Sequence, residues 1–585
     1  STRANYLLES SRSAGIPLSL FHPPSLSLSA VGLLGLIDNL LALEAEDDAA
    51  QQLWGGSWRM PTNEEVIELI ENCDITAVNK NGVDVFKFTS KINGDSIFLP
   101  MNSAVNETRY NGAGVMGYYW TSDISITESM NAYSMFLLDV GLTPVAQPTA
   151  ASKQFESNRY VGMGIRPVYA DPDAFAKKEL KEVYYNFAKN ITGSSGIYVA
   201  QRALFNYSGD DVRIAGYDIK DQIEEKELDL FIYTDSNAIV SDAYNRFYNS
   251  IIETNKLIAK YKDGYDGAAP TAVMHRIVAE ARVLRAYMHM MLAIGWGTPP
   301  LMDFVPDEST ILYNCDKDPR GAKSHDELLD WCAQECLDAV SALYERENTQ
   351  DKNGAYKVTK GFAYSVAGKA YVMAGKYDLA KTALNEVIES KKYALVPGDR
   401  YWENFHVEGD GNEEKIFEPN LEYDPNIGAW GGNAPIFRST WMEANVFAWR
   451  GTSFVKVPYE VYSGFRDGWG GLAVPDEFSN EFFENDGHSY RFDASLIRID
   501  DAIYNMTYND ASINNMPLAE KKTSGEIGLT EDGLYGQSFY LPKKMLQKAS
   551  DLTLTWGNNV SVNNYTIMRY AEVLLLYAEA CLQTT

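Results

Sequence analysis

A chain of 585 residues with 45% hydrophobic and 12% aromatic residues exceeds one ordinary domain and can fill two or more packed cores. Its net charge of −29 excludes nucleic-acid backbones and anionic membrane surfaces as partners, because both need clustered Lys and Arg. The charge is compatible with a neutral ligand such as a sugar, and equally with solubility and nothing more.

The chain opens at Ser1 with no Met, signal peptide or lipid-attachment cysteine, so any such segment was removed or lies outside it. Residues 1–45 are rich in Ser, Leu and Pro and are expected to be unstructured. Between 46 and 170 the texture changes to short strands and Gly-rich turns. The segment GGSWRMPT leads into a helix opened by Thr62 and Glu65, a capping box. VDVFKF, SIFLP, GYYWTSD (117–123), NAYSMFLLDV and GIRPV (164–168) follow as strand-like elements. Their spacing predicts a compact α+β domain.

From 171 onward the chain is helix-rich. KKELKEVYYNFAKN is amphipathic, and helices are predicted over 237–262, 270–294 and 325–344. The third carries a capping box at Ser324 and Glu327. Residues 367–388, AGKAYVMAGKYDLAKTALNEVI, have the small-and-large alternation of a tetratricopeptide hairpin. Gly368 marks close helix packing and Gly375 the turn, and Tyr377, Ala380, Leu384 and Val387 mark the buried face of the second helix. The fold class is therefore mainly α, a tetratricopeptide-like helical repeat scaffold preceded by the α+β domain. Residues 396–555 read as a large loop-rich region, and 566–582 return to helix.

Little in the chain supports catalysis or metal binding. The cysteines, Cys73, Cys315, Cys332, Cys336 and Cys581, form no disulfide framework by count. Cys332 and Cys336 fall one helical turn apart without a second pair, and read as packing residues. Asp316, Asp318, Gly321 and Glu327 partly fit a calcium loop, but Arg320 places a positive charge where a ligand oxygen belongs. The charges Glu280, Arg282, Arg285, Arg569, Glu572 and Glu579 fit ion pairs better than chemistry. No nucleophile motif, P-loop or HExxH stands in a plausible context, so no catalytic residue, metal or cofactor is assigned. The paired carboxylates of a glycosidase are not readable here, since their separation is spatial.

Four motifs carry a resemblance to a known family. They are Ala243–Asn249 with Asn255; Glu280–Tyr287 followed by Gly297, Pro300 and Leu301; Lys392–Leu395 with Glu414–Phe417; and Arg569–Ala580. In this order over 171–585 they resemble the SusD/RagB family of outer-membrane nutrient-binding lipoproteins. GGSWRMPT, the GYYW element and GIRPV similarly resemble the FISUMP-type module of bacterial surface proteins, with a C-type-lectin-like look, over 46–170. The second resemblance implies extracellular location and tryptophans that serve as core. The chain stops at Thr585, where the SusD family continues through a partner helix and a short tail, so 171–585 reads as C-terminally truncated.

The SusD resemblance implies a function: binding an oligosaccharide or other nutrient at the extracellular face of the outer membrane, as a lid on a TonB-dependent (SusC-like) transporter. It implies that Asp210 and Asp211 stand in an acidic element near the glycan site. They are either acceptors for sugar hydroxyls or turn residues bonding local amides. Tyr217 lies where the family often supplies a stacking ring. Trp430, flanked by glycines, and Trp441, Trp449 and Arg450 extend the candidate platform, each with a structural role as the alternative. Two other functions stay open: a protein-interaction scaffold that recognises no glycan, and a glycoside hydrolase.

Overall fold

The structure is a computed structural model. It describes residue 43; residues 47–192 except 56, 107–108, 112–113, 126–129, 140–143, 148–155 and 170; 204–214; 222–421 except 266–267; 471–498; and 529–584 except 531–532, 535–539, 545–551, 556–557 and 562. Residues 1–45, apart from 43, thus lie outside the described residues. The chain divides into two compact units. One runs to Phe175 and takes in Tyr265–Ala268, and the other comprises Ala176–Gly264 and Ala269–Thr585.

The first unit opens with α1 (Ala49–Trp54), β1 (Trp58–Arg59) and α2 (Asn63–Asn72). Asp48 caps α1 through the amides of Ala50 and Gln51, and its other oxygen accepts from Met60 N at 2.8 Å. The predicted box starts α2: Glu65 N donates to Thr62 Oγ1 at 3.2 Å, and Thr62 N to Glu65 Oε2 at 2.9 Å. Next come β2 (Cys73–Lys80), β3 (Val83–Ser90) and β4 (Ser96–Pro100), an antiparallel sheet. β5 (Ala104–Asn106) and β6 (Arg109–Asn111) form a hairpin. In the next sheet β8 (Asn131–Asp139) pairs with β7 (Met116–Ile124), β9 (Pro144–Gln147) and β10 (Glu156–Asn158). Finally β11 (Val168–Tyr169) pairs back onto β1.

Phe86 and Phe88 point to one face at strand period two and are fully buried with Leu99 and Leu137. β2 had no sequence signal, since its exposed and half-buried residues lack clean alternation. Trp120 is core as expected. Trp54, however, is 44% exposed and meets Trp58 edge to face at 5.1 Å, so the tryptophans do not all serve as core.

The second unit takes in α3 (Pro172–Thr192) from Ala176 onward, followed by β12 (Arg213–Ile214), α4 (Ala238–Tyr261), α5 (Ala272–Trp296), α6 (His325–Ala339), α7 (Lys360–Met373) and α8 (Tyr377–Ser390). From α4 onward each helix packs on the next, which gives the repeat scaffold. α5 is apolar on nearly every side and is sheathed by its neighbours, so its few polar groups must be paired inside. Arg285 donates to Glu335 Oε2 at 2.6 Å, and Arg282 grips the same carboxylate at 2.7 Å. Burial alone would raise the Glu335 pKa, but the two guanidinium groups hold it below the usual range. His289 accepts from Met302 N at 3.0 Å, so its Nδ1–H donates to Arg285 O at 2.9 Å. Burial pulls its pKa down to about 3 and keeps it neutral.

Two boundaries differ from expectation. α5 continues through Gly295, whose missing Cβ gives Phe205 room, and stops at Gly297 with φ +72°. α6 ends at Ala339 and passes into a short 3₁₀ turn, because Val340 starts a tighter bonding pattern. The α7–α8 hairpin turns at Gly375 with φ +68°. Ala380, Leu384 and Val387 are buried, and Tyr377 is half-buried.

Beyond the hairpin lie β13 (Lys415–Phe417), β14 (Leu472–Ala473), α9 (Asp476–Asp486), α10 (Tyr490–Ser495), β15 (Leu496–Arg498), β16 (Tyr540–Pro542), β17 (Met568–Arg569) and α11 (Tyr570–Gln583). The region read as loops therefore contains two short helices. Of the motif Lys392–Leu395 with Glu414–Phe417, only the second half is a strand; in the first, Ala394 N bonds Glu413 O. α11 packs on α7 and α8, and Lys369 ties to Glu572 at 2.7 Å. Among the described residues no helix is long and apolar enough to cross a membrane.

A buried ionic network fills the space under β13. Lys415 Nζ donates to Asn404 O at 2.8 Å and Thr566 Oγ1 at 2.5 Å, and lies 3.3 Å from Glu418. Glu418 also accepts from Gly411 N at 2.7 Å and Asn564 Nδ2 at 3.1 Å. Burial, and then the nearby Glu418, push Asp410 up to about 8. The folded form therefore keeps a proton that the unfolded chain releases near pH 4. Stability should fall as pH rises from about 4 to about 8 through this group. Urea unfolding at pH 5.5 and 8.5 should show that loss, and Asp410→Asn should flatten it. An unchanged slope in the variant would refute the assignment.

Candidate functional site

The loop 206–211 is a turn, with Gly209 N donating to Asn206 O at 3.2 Å. Tyr207 anchors it by being buried, while Asp210 and Asp211 are exposed. A Cβ on Gly209 would sit 2.5 Å from Asp211 Oδ1, so the carboxylate folds back over the glycine. The turn closes through its backbone, Gly209 N bonding Asn206 O, and both readings of the aspartates stay open. Two residues on, β12 pairs antiparallel with β14. Val474 bridges Tyr540, and β16 pairs with β15. This ladder brings together four short strands drawn from between positions 213 and 542. Its underside is the small core of Val474, Phe492, Leu496 and Tyr540.

One end of the ladder carries a cluster of rings and charges. Residues Gly398–Phe405 form a 3₁₀ segment started by Pro397, and the Tyr490 ring lies against Gly398. Arg400 fixes the outer side of this segment by ion pairs to Glu403 at 2.8 Å and Glu413 at 3.0 Å. Tyr401 and Phe405, four residues apart, meet edge to face at 5.5 Å, and both are half-buried. Lys544, two residues past β16, places Nζ 4.8 Å from the Phe405 centroid and 5.8 Å from that of Tyr401. The Arg569 guanidinium lies 5.6 Å from Phe405 and is bonded to Glu414 Oε1 at 2.5 Å. Arg491 is exposed and forks onto Asp486 at 2.7 and 2.8 Å.

Burial pulls the Lys544 ammonium down to about 8, with Arg569 and Arg491 acting in the same direction and Asp211 opposing. The Asp211 loop and the Tyr401–Phe405 pair thus share one electrostatic neighbourhood. Such an arrangement offers ring faces for an apolar sugar face and charged groups for polar substituents.

Of the residues singled out in the sequence, Asp210 and Asp211 fall here, on the exposed turn. Tyr217, Trp430, Trp441, Trp449 and Arg450 lie outside the described residues. Tyr401, Phe405 and Lys544 were missed. The four-residue spacing in RYWENF was a usable signal for the ring pair; nothing marked Lys544. Arg569 behaves as read, as an ion-pair residue. The calcium-like pattern is taken up internally: Arg320 grips Asp318 through Nε and Nη2, and Glu327 accepts from Ser324 N at 2.8 Å. Among the described residues no group of His, Cys, Asp and Glu is arranged to hold a metal.

Three of the four ladder strands lie in a segment that resembles a known family. Residues 442–585 match the model of the SusD family. The Arg569–Ala580 motif lies within the matched SusD segment, and the three earlier motifs lie before it. No curated protein matches the chain. Among solved structures, a laminarin-binding SusD-like protein is 19% identical, aligned over 70% of this chain and 80% of its own, with a TM-score of 0.53. Surface glycan-binding protein A from Bacteroides thetaiotaomicron, solved with laminarihexaose, is 18% identical over 70% and 79%, also at 0.53. Its namesake from Bacteroides uniformis is 20% identical over 70% and 76%, at 0.52. At these identities the likeness is one of fold, and the fold is the SusD-like, tetratricopeptide-type helical scaffold that the sequence predicts.

Proposed function

We propose that this chain is a cell-surface glycan-binding protein of SusD type, which captures an oligosaccharide and hands it to a TonB-dependent transporter in the outer membrane. The observation that carries this reading is the ladder-end cluster, where the half-buried Tyr401 and Phe405 rings hold Lys544 within electrostatic reach of the exposed Asp211. Support also comes from the laminarin and laminarihexaose bound by proteins of similar fold. In this reading Asp210 and Asp211 accept sugar hydroxyls, and Tyr401 and Phe405 supply ring faces. Tyr217, Trp430, Trp441 and Arg450 complete the surface. Residues 171–585 form the binding domain, and 46–170 a FISUMP-type module that adds to presentation outside the cell.

The test is retardation of the purified chain in native gels cast with laminarin and a panel of other polysaccharides. At least one should retard it, and Tyr401→Ala and Trp430→Ala should each weaken binding on the order of tenfold, about 1.4 kcal/mol. No retardation by any polysaccharide, with a barrel protein still co-purifying, would replace this reading by a protein-interaction scaffold. Release of reducing ends would replace it by a hydrolase.

A further inference from the structure

The ammonium of Lys544 is the exception among the cations at the ladder end. Arg569 has Glu414, and Arg491 has both oxygens of Asp486. Lys543 donates Nζ to Asp493 O at 2.7 Å. Lys544 Nζ has ring contacts to Tyr401 and Phe405, and among the described residues no carboxylate lies within ion-pair distance of it. Asp211, the carboxylate that favours its charged form, acts from beyond that distance.

Three positive groups thus gather around one aromatic pair in a chain whose net charge is −29. Two guanidinium neighbours repel the ammonium, and the rings beneath it withhold the water that would otherwise solvate it. Ring faces compensate a cation only in part. An oxyanion above the rings would complete the shell. The corner is also open: Lys544, Tyr401 and Phe405 are half-buried, and Tyr490 and Arg491 at its rim are exposed.

We propose that Lys544, backed by Tyr401 and Phe405, is a subsite for an anionic substituent of the glycan, a carboxylate or a sulfate ester, so that the preferred ligand is an acidic polysaccharide. This rests on the glycan-binding reading above. Lysine suits the task because a point-charge ammonium takes either oxyanion without the planar match an arginine fork requires. The rings beneath would stack the sugar that bears the acid. The remainder of the chain, strongly negative, repels polyanions, so any attraction must be local to this corner.

The experiment compares charged and uncharged forms of the same polymers: polygalacturonate against its methyl ester, and dextran sulfate against dextran, with laminarin as a further uncharged probe. The subsite predicts binding to at least one charged form at least tenfold tighter than to its uncharged counterpart, weakening as salt is raised. Lys544→Met should erase that difference and Lys544→Arg should preserve most of it. Should the methionine variant fail to fold, the paired-polymer comparison on the wild-type chain and the arginine variant still decide. Binding to uncharged polymers with no preference for charge, unaffected by Lys544→Met, overturns the subsite and leaves glycan binding intact. Binding to no polysaccharide overturns both.

Discussion

Lys415→Met is expected to cost the second unit about 3–5 kcal/mol. The lysine is 1% exposed, and its ammonium is the cation beside the fully buried Glu418. Methionine fills a similar volume but leaves that carboxylate charged and uncompensated. It also leaves Asn404 O and Thr566 Oγ1 without their donor. Removing both charges should hurt less than removing one, so Lys415→Met with Glu418→Gln should recover a large part of the loss. Urea unfolding of the three variants measures this. A loss below about 1 kcal/mol for the single change would show that water reaches Glu418 and that the network is not sealed.

The second large effect concerns the repeat. A Cβ on Gly368 would stand 2.4 Å from Cγ and Cδ2 of Leu384, closer than atoms in a folded core approach. Gly368→Ala should therefore destabilise by roughly 1–3 kcal/mol, despite alanine's better helix propensity. Leu384→Ala opens a cavity and should cost about 2–5 kcal/mol. Combined, the new methyl group occupies space the leucine vacated, so the double variant should be clearly more stable than the sum implies. Strict additivity, within about 0.5 kcal/mol, would mean that α7 and α8 separate without penalty and that the packing argument fails.

How much was legible in the sequence differs between these regions for a physical reason. Gly375 and the two capping boxes lie within a few residues of the partners that explain them, and Gly368 and Leu384 belong to one hairpin, so local spacing reveals their roles. The long helices were equally plain, since a 3.6-residue period repeats many times across 24 or 25 residues. The candidate site followed no such rule. It is assembled by strands of two or three residues, too short to show any period. Lys544 acquires its surroundings only because β16 meets β15 and Val474. Asp210 and Asp211 are proposed only through resemblance to a family. Their exposure is a feature that chain order does not encode.

The pairing of Arg213–Ile214 with Leu472–Ala473 also has a bearing on how the molecule is made. It joins stretches about 260 residues apart, enclosing the entire run of repeat helices. During synthesis the aspartate turn must wait, unpartnered, until the helices have condensed and the later strand has emerged. The loop-closing entropy is then lowered by the scaffold already formed between the two ends. The ladder is thus a late-acquired feature: a nascent chain would own the repeat helices before it owned this pairing.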